Sequence, residues 1–372
     1  MGARERSDVL HHRTRALVSA FERGVPIPES FDSLAADIAR FQADCVPGYA
    51  RLCAAHGTDA RGIAHAAQAP AVPTEAFKFA RVFAFEETEA AVTFRTSGTT
   101  IGSRGAHSIR DLRTYDAAAL AFGRVMLCCT ATPTATVLVL GPSSARAPDS
   151  SLAHMCSLFV RALGSVGAQG SDFVRGDALD LDALRRRVSA LSADTPAIVL
   201  GASFAFVHLL DRLRDELLPL PARSRVMQTG GFKGRAREVP AAELRAAIAR
   251  AFAIPERAVV SEYGMTELSS QFWEATLADP SAPQGVFVEP PWARVVPVDP
   301  ETLAPVTEGA TGIARIEDLA NVDSAFAILT QDRVRRVAGG FELLGRAPGA
   351  STRGCSIALD EILSAKERRG EA

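Results

Sequence analysis

The chain has 372 residues, enough to bury a substantial core without disulfides or structural metal, which excludes a stapled or metal-nucleated mini-domain. Lys and Arg total 41 against 43 Asp and Glu, a formal charge of -2, so no overall positive field invites nucleic acid or anionic lipid, and any phosphate binding must be local. The cysteines Cys45, Cys53, Cys128, Cys129, Cys156 and Cys355 form no CxxC pair and the His residues are scattered, a usage that suits free thiols in a reducing cytoplasm and argues against a zinc site. The charged opening MGARERSDVLHHRTR leads into no apolar run, and no 18-residue uncharged apolar stretch follows, so neither export nor a membrane span is expected. Lysine occurs only at Lys78, Lys233 and Lys366. In a chain that otherwise uses arginine, a surviving lysine either is accidental or marks a site needing a compact ammonium rather than a planar fork.

In chain order, residues 1–90 read as helices and loops wrapping the N-terminal side: Ser33 to Phe41 carries apolar residues at helical spacing, Pro70 and Pro73 break the run, and Phe77, Phe79, Phe83 and Phe85 alternate like a half-buried strand. Residues 91–284 read as an α/β core. A helix near 115–129 precedes strand Ala135–Leu140, helix 151–163, strand Ala197–Gly201, helix 204–217, strand Arg225–Thr229, helix 241–252 and strand Ala258–Tyr263. Continuous apolar strands between amphipathic helices predict a parallel sheet covered on both faces, with ligands beyond the C-terminal strand ends. Residues 285–346 turn to short, Pro- and Gly-punctuated strands of a smaller β-rich subdomain, and 347–372 form a short C-terminal stub with a frayed helix.

The most specific local signal is Phe94-Arg-Thr-Ser-Gly-Thr-Thr-Ile-Gly-Ser-Arg-Gly105. Thr96, Ser97, Gly98, Thr99 and Thr100 offer backbone N–H and hydroxyl donors that can wrap an anion, with Arg104 adding charge. The bland alternative is a polar surface turn. The string resembles the TSGTTGxPKG loop of the adenylate-forming superfamily of acyl- and aryl-CoA synthetases. Glu262-Tyr263-Gly264-Met265-Thr266-Glu267 resembles that superfamily's YGxTE motif, in the right order. Weaker matches are Gly230-Gly231, Thr330-Gln331-Asp332, Gly345-Arg346 and Arg353-Gly354. Within the superfamily the chain looks most like the LuxE-type acyl-protein synthetases, through Phe77-Lys78, Asp149-Ser150-Ser151-Leu152, Gly230-Gly231-Phe232-Lys233, YGMTELSSQ and Arg353-Gly354-Cys355-Ser356.

The resemblance implies activation of a carboxylic acid by ATP and Mg²⁺. By it, Thr96 to Thr100 and Arg104 hold the β- and γ-phosphates and Thr266 the α-phosphate. Glu267 takes the metal, Tyr263 stacks on adenine, Asp332 and Arg346 hold the ribose, and Gly230 and Gly231 border the acid. Such a reaction joins two anions, so the protein must supply positioning and donors. Two departures stand out. The loop lysine is Arg104 and a loop glycine is Ile101. Only 26 residues follow Arg346, fewer than the roughly 50 of a separate domain. The C-terminal lid domain with its lysine is therefore expected to be absent, and Lys233 or Lys78 to supply that charge.

In LuxE-type proteins the acyl group ends on a cysteine near the C-terminus, which here is Cys355; otherwise Cys355 is a small hairpin residue. A thiolate is a natural acceptor for an acyl-AMP. Three functions follow: an acid-thiol ligase that loads Cys355 and hands the acyl group to an acyl-CoA-reductase-like protein; a ligase passing it directly to a carrier thiol or an amine; or a non-catalytic nucleotide-binding scaffold.

Overall fold

Helix α1 (Ala3–Glu22) opens the chain, and its inward stripe of Ser7, Leu10, His11, Thr14, Leu17 and Val18 repeats at three and four residues. Helix α2 (Phe31–Cys45) is capped by Ser30, whose hydroxyl accepts the Ser33 N–H at 3.2 Å; it buries Leu34, Ile38 and Phe41. Helix α3 (Pro47–Ala55) begins with proline at its first position, where a missing N–H costs nothing. The computed structural model describes residues 1–96, 104–128, 135–164, 172–175, 178–231, 236–347 and 361–363. They form two compact units, one of Met1–Ala121, Thr266–Gln271 and Val288–Ala372, the other of Phe122–Met265 and Phe272–Phe287.

In the first unit strand β1 (Val72–Pro73) leads into the single-turn helix α4 (Ala76–Phe79). The expected strand over Phe77–Phe85 does not form. Phe77 lies in α4, while the Phe83 and Phe85 rings pack on each other at 4.9 Å with Arg81 over Phe83. The alternation arises from a helical turn followed by an aromatic bend, two local contacts that mimic a period of two. Strands β2 (Val92–Arg95) and β3 (Ala106–Ile109) pair antiparallel, Arg95 opposite Ala106. Helix α5 (Leu112–Cys128) follows, and the division between units falls within it.

The second unit contains β4 (Thr136–Leu140), α6 (Ser151–Leu163), the short strands β5 (Val174–Arg175) and β6 (Ala178–Leu179), α7 (Leu181–Ser189), β7 (Ala197–Ala202), α8 (Ser203–Leu213), β8 (Arg225–Thr229), α9 (Ala241–Phe252), β9 (Val259–Tyr263) and β10 (Phe272–Glu274). Strands β4, β7, β8 and β9 run parallel in that spatial order, with β10 antiparallel beside β9. Both faces of β4 and β7 are buried throughout, as expected of a parallel sheet with helices on either side. Leu138, Val199, Phe206, Val226, Ile248 and Phe252 belong to its core. At Gly123 of α5 a Cβ would stand 2.5 Å from the Phe159 ring of α6, so only glycine admits this approach.

Strand β11 (Val286–Val288) straddles the division. The first unit then closes with an antiparallel meander of β12 (Ala293–Val298), β13 (Thr311–Asp318), β14 (Ala327–Val337) and β15 (Gly340–Arg346). Strand β1 lies parallel to β14, Val72 opposite Ile328. The fold class is α/β, as the sequence leads one to expect.

Candidate active site

In the second unit the parallel strands end on one edge, where β8 runs into Gly230-Gly231 and β9 into Gly264. Gly230 has φ +66°, a conformation that costs a side-chain-bearing residue about 1–2 kcal/mol. The Ser203 hydroxyl donates to its carbonyl at 2.8 Å. Thr229 and Glu262 are register partners on β8 and β9, and the Thr229 hydroxyl donates to the Glu262 carboxylate. Tyr263 is buried at the end of β9, its ring stacked on Phe272 at 6.0 Å and edge-on to Phe287 at 6.2 Å. Its phenyl face is thus oriented by apolar neighbours before any ligand arrives.

In the first unit the β2–β3 hairpin forms the stem of the Ser/Thr-rich loop. The Thr96 N–H donates to the Gly105 carbonyl and the Gly105 N–H donates to Thr96 Oγ1, both at 2.9 Å. Arg104 is exposed and turns back on this stem, donating from Nε to the Thr96 carbonyl at 2.6 Å and from Nη2 to that of Arg95 at 3.1 Å. Its side chain braces the loop base. Ser97, Gly98, Thr99, Thr100 and Ile101 lie outside the described residues, as do Lys233, Arg353, Gly354, Cys355 and Lys366.

The Thr266–Gln271 segment belongs to the same unit. Thr266 is partly exposed and Glu267 is buried. Thr266–Glu267 lies in a turn, so its carbonyls take side-chain partners. His107 Nδ1 donates to the Thr266 carbonyl at 2.8 Å, and Asn321 Nδ2 to that of Glu267 at 2.9 Å. The Asp318 carboxylate accepts the N–H groups of Ser269 and Ser270, each at 2.9 Å, and the Ser270 hydroxyl at 2.6 Å. Burial pushes the Asp318 carboxyl up, against these hydrogen bonds. Burial also pushes His107 down to about 4, which leaves a neutral imidazole at pH 7. The Phe77 ring of α4 stands edge-on to His107 at 5.6 Å. The loop stem, the helix bearing Lys78 and the Thr266–Glu267 turn therefore meet around one histidine.

Lys78 is exposed on α4. Asp332 on β14 and Arg346 on β15 are register partners, Arg346 Nε standing 3.6 Å from Asp332 Oδ1. Among the described residues no group of three or more His, Cys, Asp or Glu is arranged to hold a metal. A single hard carboxylate such as Glu267 fits Mg²⁺, which usually takes one or two protein carboxylates and completes its shell with substrate phosphate and water.

His107, Asn321 and Asp318 were not legible as site residues. His107 stands two residues after Gly105 in the loop motif, and that nearness was the available signal. Asn321 and Asp318 come from the turn after β13 and the end of β13, about 50 residues beyond the turn they hold, and carry no motif.

A family model described as acyl-protein synthetase, LuxE, matches residues 20–364. The chain belongs to this family. Among solved structures it is similar to 2-hydroxyisobutyryl-CoA ligase in complex with 2-HIB-AMP, at 14 % identity and TM-score 0.59, over 93 % of this chain and 69 % of that one. It is also similar to ATP-bound MatB from Rhodopseudomonas palustris, at 17 % identity and TM-score 0.47, over 77 % and 52 %. A third is the amide bond synthetase McbA from Marinactinospora thermotolerans, at 20 % identity and TM-score 0.46, over 70 % and 50 %. The chain thus spans between half and about 70 % of the length of these three proteins. The likeness to the first shows an adenylate-forming-ligase fold. No curated protein matches the sequence. No helix among the described residues is long and apolar enough to cross a membrane.

Proposed function

We propose that the protein activates a carboxylic acid with ATP and transfers the acyl group to Cys355. A carboxylate oxygen attacks the α-phosphorus, forming the acyl–O–P bond while the bond to the bridging oxygen breaks and pyrophosphate leaves. The Cys355 thiolate then attacks the acyl carbon and AMP departs with the electron pair. The observation that carries this reading is the meeting, within one unit, of the Thr96–Arg104 stem and the Thr266–Glu267 turn at His107. Two polar motifs distant in sequence have reason to share one buried support if one ligand uses both.

In this reading Thr96, Ser97, Gly98, Thr99, Thr100 and Arg104 hold the β- and γ-phosphates, Thr266 contacts the α-phosphate, and Tyr263 and Gly264 border the adenine. Asp332 and Arg346 take the ribose hydroxyls, and Gly230 and Gly231 leave room for the acid. Glu267 holds Mg²⁺, which when bound offsets phosphate charge. Lys233, or failing it Lys78, supplies the ammonium near the α-phosphate. The choice of acceptor is supported by three of the other thiols: burial pushes Cys45 and Cys53 up and Cys156 up to about 12, so none of these three is a ready thiolate. The acyl group would then pass to an acyl-CoA-reductase-like protein or an acyl carrier.

The test is intact-protein mass after incubation with ATP, Mg²⁺ and a panel of acids. A gain of one acyl group, mapped to the peptide holding Gly354-Cys355-Ser356 and lost in Cys355→Ser, is the expected result. Pyrophosphate release with unchanged protein mass would instead favour direct transfer to an external thiol or amine.

A further inference from the structure

Thr266 and Glu267 are consecutive, and both of their main-chain carbonyls are held by buried side chains from other segments. His107, on β3, donates to the first at 2.8 Å, and Asn321, in the turn after β13, donates to the second at 2.9 Å. Each donor is 2 % exposed. Each donor's direction is fixed by its own chemistry. A carbonyl oxygen can only accept, so His107 carries its proton on Nδ1. The Asn321 amide gives its other N–H to the Ala325 carbonyl at 3.0 Å, which sets which end is nitrogen.

The geometric consequence follows from the planarity of the peptide. The Thr266 carbonyl belongs to the plane entering Glu267 and the Glu267 carbonyl to the plane leaving it. Holding both oxygens fixes the two planes that meet at the Glu267 Cα, and with them the direction of its Cα–Cβ bond. Neither a helix nor a sheet ladder does this here, because the two residues lie in a turn. We propose that His107 and Asn321 are a pair of positioning residues that aim Thr266 and Glu267 for adenylate formation. His107 also ties this turn to the loop stem, since it lies three residues beyond Arg104 and on the strand paired with β2. The inference rests on the functional reading above, in which Thr266 and Glu267 meet the nucleotide.

Such a pair acts on the chemical step more than on binding, because most contacts to ATP lie elsewhere, and a displacement of about 1 Å at a reacting centre can cost roughly 100-fold. The experiment uses the full chain and the variants His107→Leu, His107→Asn and Asn321→Leu. Three quantities are read: melting temperature, ATP affinity in Mg²⁺ by calorimetry, and kcat and KM of acid-dependent ATP–pyrophosphate exchange. Expected are folded variants that bind ATP within about threefold of wild type while kcat falls about 10- to 100-fold in His107→Leu and in Asn321→Leu. His107→Asn, which keeps an amide N–H at the position of Nδ1, should regain most of the loss, and the double leucine variant should lose less than the product of the single losses. Asn321→Leu carries the same comparison if His107→Leu does not fold. Folded variants that exchange at the wild-type kcat would overturn the assignment, as would a rate loss that merely follows weaker ATP binding. Absence of exchange in the wild-type protein would instead overturn the functional reading itself, and the assignment with it.

Discussion

Asp332 and Arg346 face each other across β14 and β15, and the Arg346 guanidinium reaches the Asp332 carboxylate at 3.6 Å. The arginine side chain is 76 % exposed and the aspartate's 13 %. A pair whose arginine is this exposed and whose atoms stand 3.6 Å apart contributes at most about 1 kcal/mol, so it yields readily to a ligand that offers hydroxyls to both partners. Asp332→Asn should leave the melting temperature within a few degrees of wild type and raise the KM for ATP about tenfold or more, since a hydrogen bond to a charged group is worth about 1.5–3 kcal/mol. An unchanged KM for ATP would remove Asp332 from the ribose site.

The ammonium expected near the α-phosphate separates Lys233 from Lys78. Lys233→Arg should slow pyrophosphate exchange measurably, because a planar fork does not reproduce a compact point charge, and Lys233→Ala more so. If both exchange at the wild-type rate while Lys78→Ala does not, the charge comes from α4.

A buried polar clasp fastens α1 within its unit. Asp323 accepts from the Ser7 hydroxyl, pairs with His11 Nε2 at 2.9 Å and with Arg110 Nε at 3.3 Å, while His11 Nδ1 meets Thr114 Oγ1 at 2.8 Å. Burial would raise the Asp323 carboxyl, but its hydrogen bonds from His11 and Ser7 and the charge of Arg110 hold it below its ordinary value. A depressed carboxylate stabilises the fold fully above its unfolded value, near 4, and loses that contribution as pH falls through the lower folded value. Asp323→Asn should therefore cost about 3 kcal/mol at pH 7, and its deficit against wild type should shrink as pH drops below about 4. Melting curves across pH read this directly; a deficit that stays constant down to the acid limit would contradict it.

Gly123→Ala drives a methyl into the Phe159 ring, where a Cβ stands 2.5 Å away. Overpacking of this size costs about 1–3 kcal/mol. Adding Phe159→Leu should restore part of that loss, and a melting temperature unmoved by the single change would show that α5 and α6 separate freely.

How much of this was legible in the sequence depended on whether the period of burial was apolar. Strands β4 and β7 and helix α9 read correctly because their buried positions are continuous or regularly spaced hydrophobes such as Leu244, Ile248 and Phe252. Within residues 1–90, read as helices and loops, helix α1 was given no bounds because Ser7, His11 and Thr14 interrupt the stripe of Leu10, Leu17 and Val18 with polar side chains. The Ser/Thr/Gly-rich and YGMTE strings were legible because each is local. Their shared support was not: His107 reaches Thr266 across 159 positions, and a contact of that range exists only once β3 and the turn are folded together.

Acid-dependent ATP–pyrophosphate exchange tests the central claim most directly. Wild-type protein with Mg²⁺ and labelled pyrophosphate, offered a panel of alkyl and aryl carboxylic acids, should return label into ATP only when a suitable acid is present. Glu267→Gln, which keeps the side chain's size and removes its charge, should lower that rate about 100- to 1,000-fold, the usual cost of losing one preorganised electrostatic element at the reacting centre. Exchange in Glu267→Gln at the wild-type rate, or none in wild type with any acid of the panel, would contradict the account.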